Sequence, residues 1–301
     1  MAKVALVLSG GGAKGAFQIM AEKYAREVKG YKWDVIAGVS VGALNGVMLA
    51  MEKYARAEEI WKTISNDQVY TGGVNLWSAI KMVFGAKSFY GNKPLRKLID
   101  REVDPEKVKA DLRIGAVSLQ TGEYEAYRAS HPDFKKLVFA STIIPIIWTP
   151  EDISPTLRSM VDGGLRNTSP LGDVLDVDPD EVVVINCNPE KLAPPPGQLG
   201  NAIDIGKASL EVALNEILIN DIREFRRIND IVNQAEEFNR KNNLEGDDRF
   251  IPRNEEGKPY KYYKLTVIEP DGPLNDTLDF SRPAIEKAMQ AGWERAKAVL
   301  G

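Results

Sequence analysis

Histidine and cysteine are almost missing from this chain: 301 residues contain one histidine, His131, and one cysteine, Cys187. One thiol forms neither an internal disulfide nor a thiolate-rich zinc site, and one imidazole excludes a multi-histidine metal centre within the chain. The same scarcity constrains hydrolytic chemistry, because a Ser-His-Asp triad has to use His131, and a serine hydrolase that does not use it needs another base. Charge of one sign is lacking too. Lys and Arg number 39 and Asp and Glu 43, a net charge of −4, which removes the basic footprint of a dedicated nucleic-acid binder. Long apolar runs are missing: the longest, residues 36–51, is broken by Ser40, Asn45 and three glycines and is shorter than the roughly 20 residues a bilayer core requires. At the N-terminus only five apolar residues separate Lys3 from the stretch that carries three glycines, with no small-residue cleavage site. That is too little for a signal peptide, and the expected location is cytoplasmic, at most peripheral to a membrane.

What remains is a globular composition, 44% hydrophobic and 27% charged, at a length that suits one large α/β domain or two small ones. Residues 4–8 form a β-branched and leucine run ended by Ser9 and three glycines, the pattern of a strand buried on both faces. A helix over 13–28, a strand over 33–37 and a helix over 41–54 follow, the order expected of a parallel sheet with right-handed crossovers. Three helical pieces, 58–65, 75–84 and 93–102, fill the next stretch with no strand evident. Segments 112–119 and 124–128 flank Gln120-Thr121-Gly122-Glu123, a hairpin signal that makes the sheet mixed. Helix is expected at 132–141, a strand leading into Asp162, a buried strand at 181–186, and a stiff proline-rich linker at 193–197. The helical pattern of 201–240 offers Ile203, Leu210, Leu214, Ile217, Leu218, Phe225, Ile228 and Phe238 as core positions. A last strand at 262–268 and a helix at 281–300, with Ser281 as N-cap and Pro283 in its first turn, complete the chain.

Three features carry chemistry. Gly10-Gly11-Gly12-Ala13-Lys14-Gly15 matches GxGxxG between a strand and a helix, with Asp34 nineteen residues beyond Gly15, so a dinucleotide site is one reading. Its flaw is positional: Asp34 begins the second strand, whereas a ribose-binding acid belongs at that strand's end. Gly38-Val39-Ser40-Val41-Gly42 is GxSxG where a strand ends and a helix begins. In that context the turn lifts the serine hydroxyl above the sheet and aims a helix N-terminus at developing negative charge. The competing reading is a glycine-rich turn with an incidental N-cap serine. Asp162-Gly163-Gly164 lies 122 positions beyond Ser40 and alone would be a plain Asp-Gly turn. Together the three supply a nucleophile, a carboxylate that can act as its base, and backbone N–H groups for an oxyanion.

With these three motifs in this order and spacing, the sequence resembles the patatin-like phospholipase family. Further similarity lies in Ala140-Ser141 with Pro145 and Pro150, in Arg166-Asn167, in Pro170-Leu171, in the segment from Asn215 to Asp221, and in Leu278-Asp279-Phe280-Ser281. The resemblance runs from Val4 to about Trp293. It implies one domain over 1–301, a three-layer α/β/α sandwich on a mostly parallel sheet, related to the catalytic domain of cytosolic phospholipase A2. The domain divides into a nucleophile half (1–55), a helical insertion (56–106), an aspartate half (107–190) and C-terminal helices with the last strand (200–301). It further implies a Ser-Asp dyad: Ser40 as nucleophile and Asp162 as general base, with Gly10, Gly11 and Gly12 as oxyanion hole. Lys14, Gly15, Gly38, Gly42, Gly163 and Gly164 support it, and no metal or cofactor takes part. His131, beside Pro132 at a helix start, then serves as a loop or capping residue. The implied substrates are phospholipid, lysophospholipid or another fatty-acyl ester, with transient membrane contact and no nucleic acid. Acyl transfer at the same site, and a non-catalytic anion site on the Gly10 to Gly15 loop, are the alternatives. Lys14 stays open between a loop-stabilising, a phosphate-binding and a merely solvated residue; Ser9 and Ser141 are turn and packing residues. Leu76, Trp77, Ile80, Val83 and Phe84 form an apolar stripe that suits either core or a lid, and the apolar stretch 143–148 suits the wall of an acyl pocket.

Overall fold

A computed structural model describes residues 2–72, 90–145, 147–190 and 202–301. The apolar stripe at 74–87 and the proline-rich linker lie outside the described residues. The first strand, β1 (Val4–Leu8), is followed by α1 (Gly15–Glu27), β2 (Val35–Gly38) and α2 (Val41–Ala50). Then come α3 (Tyr54–Thr63), α4 (Asn66–Val69), β3 (Thr71–Gly72), β4 (Tyr90–Gly91) and α5 (Lys93–Glu102). The aspartate half holds β5 (Asp111–Ser118), β6 (Tyr124–Arg128), α6 (Phe134–Ala140), β7 (Met160–Asp162) and β8 (Glu181–Ile185). The chain closes with α7 (Ala202–Lys241), β9 (Lys264–Ile268) and α8 (Arg282–Leu300).

The main sheet runs β6-β5-β2-β1-β8-β9, with β7 on β5. Pairs β1–β2, β1–β8, β2–β5 and β8–β9 are parallel, whereas the β5–β6 hairpin and β7 are antiparallel. Alternation along β1 sorts the two faces. Leu6 and Leu8 face one layer with Ile36, Val183 and Ile185, where Phe17 of α1, Val47 of α2 and Ala288 of α8 pack. Ala5 and Val7 face the other with Val35, Val182 and Val184, where Leu218, Ile222 and Phe225 of α7 pack. These burials make a three-layer α/β/α sandwich on a mostly parallel sheet. In register, Leu8 lies beside Gly38 and beside Ile185, so the loops after β1, β2 and β8 all leave from one edge of the sheet, the edge at which α/β folds build their sites.

Several sequence expectations are corrected. The helix expected over 41–54 ends at Ala50, where Glu52 takes a left-handed φ of 56° and turns the chain into α3. The stretch expected to hold no strand contains the two-residue pair β3–β4. Phe238, expected in the core, is 52% exposed, while Val232 and Ala235 are buried in its neighbourhood; the apolar period of α7 places Phe238 one step off the covered face. Ile203 lies outside the described side chains. No helix among the described residues is long and apolar enough to cross a membrane.

The α1–α8 crossing is tight at one point: a Cβ on Gly292 would stand 2.1 Å from the Phe17 carbonyl oxygen. Gly292→Ala is therefore expected to lower the unfolding free energy by about 1–3 kcal/mol. Gly206→Ala, in α7 with nothing near the new methyl, is expected to raise it by roughly 0.5–1 kcal/mol. Urea unfolding of the two variants checks both signs.

Candidate active site

Val35 to Gly38 carry β2 up to a turn in which Ser40 takes φ 56° and ψ −128°, immediately before α2. A non-glycine residue in that region costs about 1–3 kcal/mol and persists only where its surroundings enforce it. The turn closes because its flanking glycines lack side chains: a Cβ on Gly38 would lie 2.4 Å from the Gly42 carbonyl oxygen, and one on Gly42 2.2 Å from that of Leu8. The Ser40 N–H donates to Ser141 Oγ at 3.0 Å, and the Ser141 hydroxyl donates to the Gly115 carbonyl at 2.6 Å. Ser141 thus moors the Ser40 turn to β5, beyond the packing role expected of it.

Asp162 arrives from the opposite direction. Strand β2 pairs with β5 as far as Gly38 beside Ile114, and antiparallel β7 pairs with the continuation of β5, ending at Asp162 beside Ala116. The C-terminal ends of β2 and β7 therefore meet head to head across Gly115. Gly163 occupies the gap, where a Cβ would stand 2.5 Å from the Gly115 carbonyl oxygen. Ser40 and Asp162 are 7% and 6% exposed, and the Ser40 hydroxyl stands near enough to act on the Asp162 carboxyl. The Gly164 N–H also donates to Asp162 Oδ1 at 2.8 Å. Burial drives the Asp162 carboxyl up to about 6, and the nearby Ser40 hydroxyl and the Gly164 N–H pull the other way.

The glycine loop arches over this pair. Gly12 has φ 58°, and a Cβ there would lie 2.2 Å from the Thr277 carbonyl oxygen, which accepts the Ala13 N–H at 2.9 Å. The three glycines expected to supply oxyanion donors differ in what their N–H groups do. The Gly10 N–H is already used, donating to the Thr168 carbonyl at 3.2 Å, whereas the N–H groups of Gly11 and Gly12 meet no acceptor among the described residues. Gly10 instead allows close approach, since a Cβ there would lie 3.2 Å from Ser40 Cβ. Gly15 starts α1 against Val41 and Trp61. Lys14 is 7% exposed and its ammonium donates to Asn188 Oδ1 at 2.8 Å, with Glu211 of α7 at 3.8 Å. It is a buried tie between the loop and α7, which corrects the solvated reading.

Beneath the loop lies a polar network whose role the motifs do not announce. Gln18 Nε2 donates to the Ser9 and Ile185 carbonyls, Asn45 Nδ2 to the Gly15 carbonyl and Gln18 Oε1, and Trp61 Nε1 to Asn45 Oδ1, all at 2.8–3.1 Å. The one trace in sequence is Asn45 itself, a polar residue inside an apolar run. Ser9 Oγ accepts the Cys187 N–H at 2.9 Å, and burial pushes the Cys187 thiol up to about 12, so this cysteine stays protonated and is no rival nucleophile. Thr168 joins the two loops, accepting from Gly10 through its carbonyl and donating through Oγ1 to the Gly164 carbonyl at 2.8 Å.

His131 lies in the turn before α6, where its Nδ1 accepts the Asp133 N–H at 3.1 Å and its ring meets the edge of Tyr127. It contacts neither Ser40 nor Asp162. Asp34 accepts the Val4 N–H at the start of the strands, away from the glycine loop, so the dinucleotide reading loses its acid. From Ser40 an apolar cleft of about 860 Å³, including its open mouth, runs down between α2, α3 and α5. Thr142, Ile144, Trp148, Leu278 and Phe280 are among the residues that line it, with Leu44, Met48, Ile60, Trp61 and Ile99. Of the stretch expected as an acyl wall, Ile144 and Trp148 line this cleft.

The chain is similar to VipD from Legionella pneumophila, with a TM-score of 0.50 at 14% identity, over 99% of this chain and 66% of that one. It spans just under two thirds of that protein's length. A second similarity is to the heterodimeric ExoU-SpcU complex of the type III secretion system of Pseudomonas aeruginosa, at 15% identity and a TM-score of 0.30, over 74% of this chain and 51% of that one. A search of curated proteins gives no significant match. The family model for patatin-like phospholipases matches residues 6–175, more than half the chain, and this protein belongs to that family.

Proposed function

We propose that the protein hydrolyses fatty-acyl esters of lipids, phospholipid or lysophospholipid among them, through a Ser40–Asp162 dyad and an acyl-enzyme. The observation that carries this reading is the buried pairing of Ser40 with Asp162, close enough for the hydroxyl to act on the carboxyl, at the head of an apolar cleft. Ser40 Oγ attacks the ester carbonyl as its proton passes to the Asp162 carboxylate, and the tetrahedral oxyanion forms at the free N–H groups of Gly11 and Gly12. Fixed donors of this kind are worth about 100 to 1000-fold each, because they need no reorganisation when charge develops. Collapse expels the alcohol, which takes its proton from Asp162. Water then attacks the acyl-Ser40 ester, again delivering a proton to Asp162, and the fatty acid leaves as Ser40 recovers its own. Burial makes Asp162 a stronger base than an exposed aspartate while leaving it ionised at neutral pH.

A fluorophosphonate probe is expected to label Ser40. Ser40→Ala should lower kcat/KM for p-nitrophenyl esters by about four orders of magnitude or more, and Asp162→Asn by roughly 100 to 10,000-fold, while His131→Ala stays near wild type. Full activity in Asp162→Asn overturns the dyad. The base acts as a carboxylate, so kcat/KM should be flat above about pH 7 and fall as pH drops through about 6; a profile centred near pH 4 would show that burial does not tune it. Ser141→Ala, which frees the Ser40 N–H, should cut kcat about tenfold with little change in KM.

A further inference from the structure

Glu102, on the lining of the cleft below Ser40, belongs to a built polar junction. Helix α3 returns alongside α2, with Trp61 bonded back to Asn45, so the last turn of α2 stands beside the first turn of α3. The end of α5 joins them there. Arg56 donates to both carboxylate oxygens of Glu102 at 2.6 and 3.2 Å, and Arg101 adds a third bond at 2.8 Å. Lys53 Nζ donates to the Glu102 carbonyl at 2.7 Å, and the Asp104 N–H to Met51 Sδ at 3.4 Å. Glu102 is 9% exposed, whereas the side chains of Arg56 and Arg101 are 36% and 64% exposed. The carboxylate is thus paired from the solvent side, while the residue also borders the cleft. Arg56 and Arg101 hold its carboxyl down to about 2, so the pair stays charged wherever esters are hydrolysed. Separating such a pair strands a poorly solvated charge, a cost no hydrocarbon terminus recovers.

We infer that the cleft ends at this junction in a chain-length stop, with Met48 and Glu102, held in place by Arg56, as the floor of a site for one acyl chain of up to about ten carbons. The inference deepens the proposed hydrolase reading and rests on Ser40 as the point of attachment. The length follows from the helix: Met48 lies eight residues beyond Ser40, about 12 Å at a rise of about 1.5 Å per residue. An extended chain advances roughly 1.2 Å per bond, as extended backbone does, so about ten bonds reach the floor. Beyond that length, added methylenes meet the charged Glu102 in place of apolar surface.

The test is kcat/KM for p-nitrophenyl esters from acetate to hexadecanoate, below micellar concentrations, with each value divided by that for acetate in the same variant. Differences in folded fraction then cancel. The ratio is expected to rise about fourfold per added carbon, the worth of a buried methylene, up to roughly ten carbons, and then to level or fall. Met48→Trp should move the turning point to shorter chains and Met48→Ala to longer ones. A ratio that climbs steadily to hexadecanoate, or a turning point common to all three proteins, overturns the stop. Calorimetric titration of the wild-type protein with free saturated fatty acids of the same lengths separates this inference from the catalytic reading. A binding cutoff near ten carbons without turnover of any ester leaves the stop standing and refutes the hydrolase. Turnover with no cutoff in rate or binding refutes the stop alone.

Discussion

The site depends on two strands ending against one another. Strand β5 is long enough to pair with β2 along its first half and with antiparallel β7 along its second. Because β2 and β7 run toward each other on the same side of β5, the residues just beyond Gly38 and at Asp162 are forced together over Gly115. Backbone ladders position the pair, so no side-chain rotamer has to find it. The bond from Ser141 to the Gly115 carbonyl and the lack of a side chain at Gly163 are both consequences of crowding at this point.

Crowding also sets the chemistry. A carboxylate here loses water on every side, and the donors that replace it are few, the Ser40 hydroxyl and the Gly164 N–H. Desolvation outweighs those bonds, which is why Asp162 is driven up to about 6 with no imidazole beside it. The strained Ser40 turn is held by Ser141 from one side and by α2 from the other. Gln18, Asn45 and Trp61 satisfy the carbonyls and side chains that the glycine loop leaves buried beneath it. An unsatisfied group at that depth would cost about 1–3 kcal/mol, so the network stabilises the loop geometry that keeps Gly11 and Gly12 N–H groups free. Apolar surface then takes over along α2, where Leu44 and Met48 line the cleft.

Much of this was legible in the chain. The strand of residues 4–8, the boundaries of α5 and the hairpin around Gly122 follow from local pattern, because short apolar runs and turn residues act over a few positions. Ser40, Asp162 and the glycine loop stand out because each needs special backbone, and special backbone leaves glycines in the sequence. Local pattern failed where contacts are distant. Nothing near Ser141, Thr168 or Gln18 marks them as supports, since their partners lie 101, 158 and 167 residues away in Ser40, Gly10 and Ile185.

The sequence by itself therefore determined the order of elements, the sites of tight turns and the kinds of reactive group available, including the near absence of histidine. Only the tertiary structure decided which of three loop N–H groups stay unpaired, that Lys14 is buried against Asn188, and that Glu102 comes to line the apolar cleft. The physical reason is one of range. Turn chemistry and periodicity act between neighbours along the chain, whereas hydrogen-bond satisfaction, desolvation and cavity shape are properties of whatever the fold brings within a few ångströms.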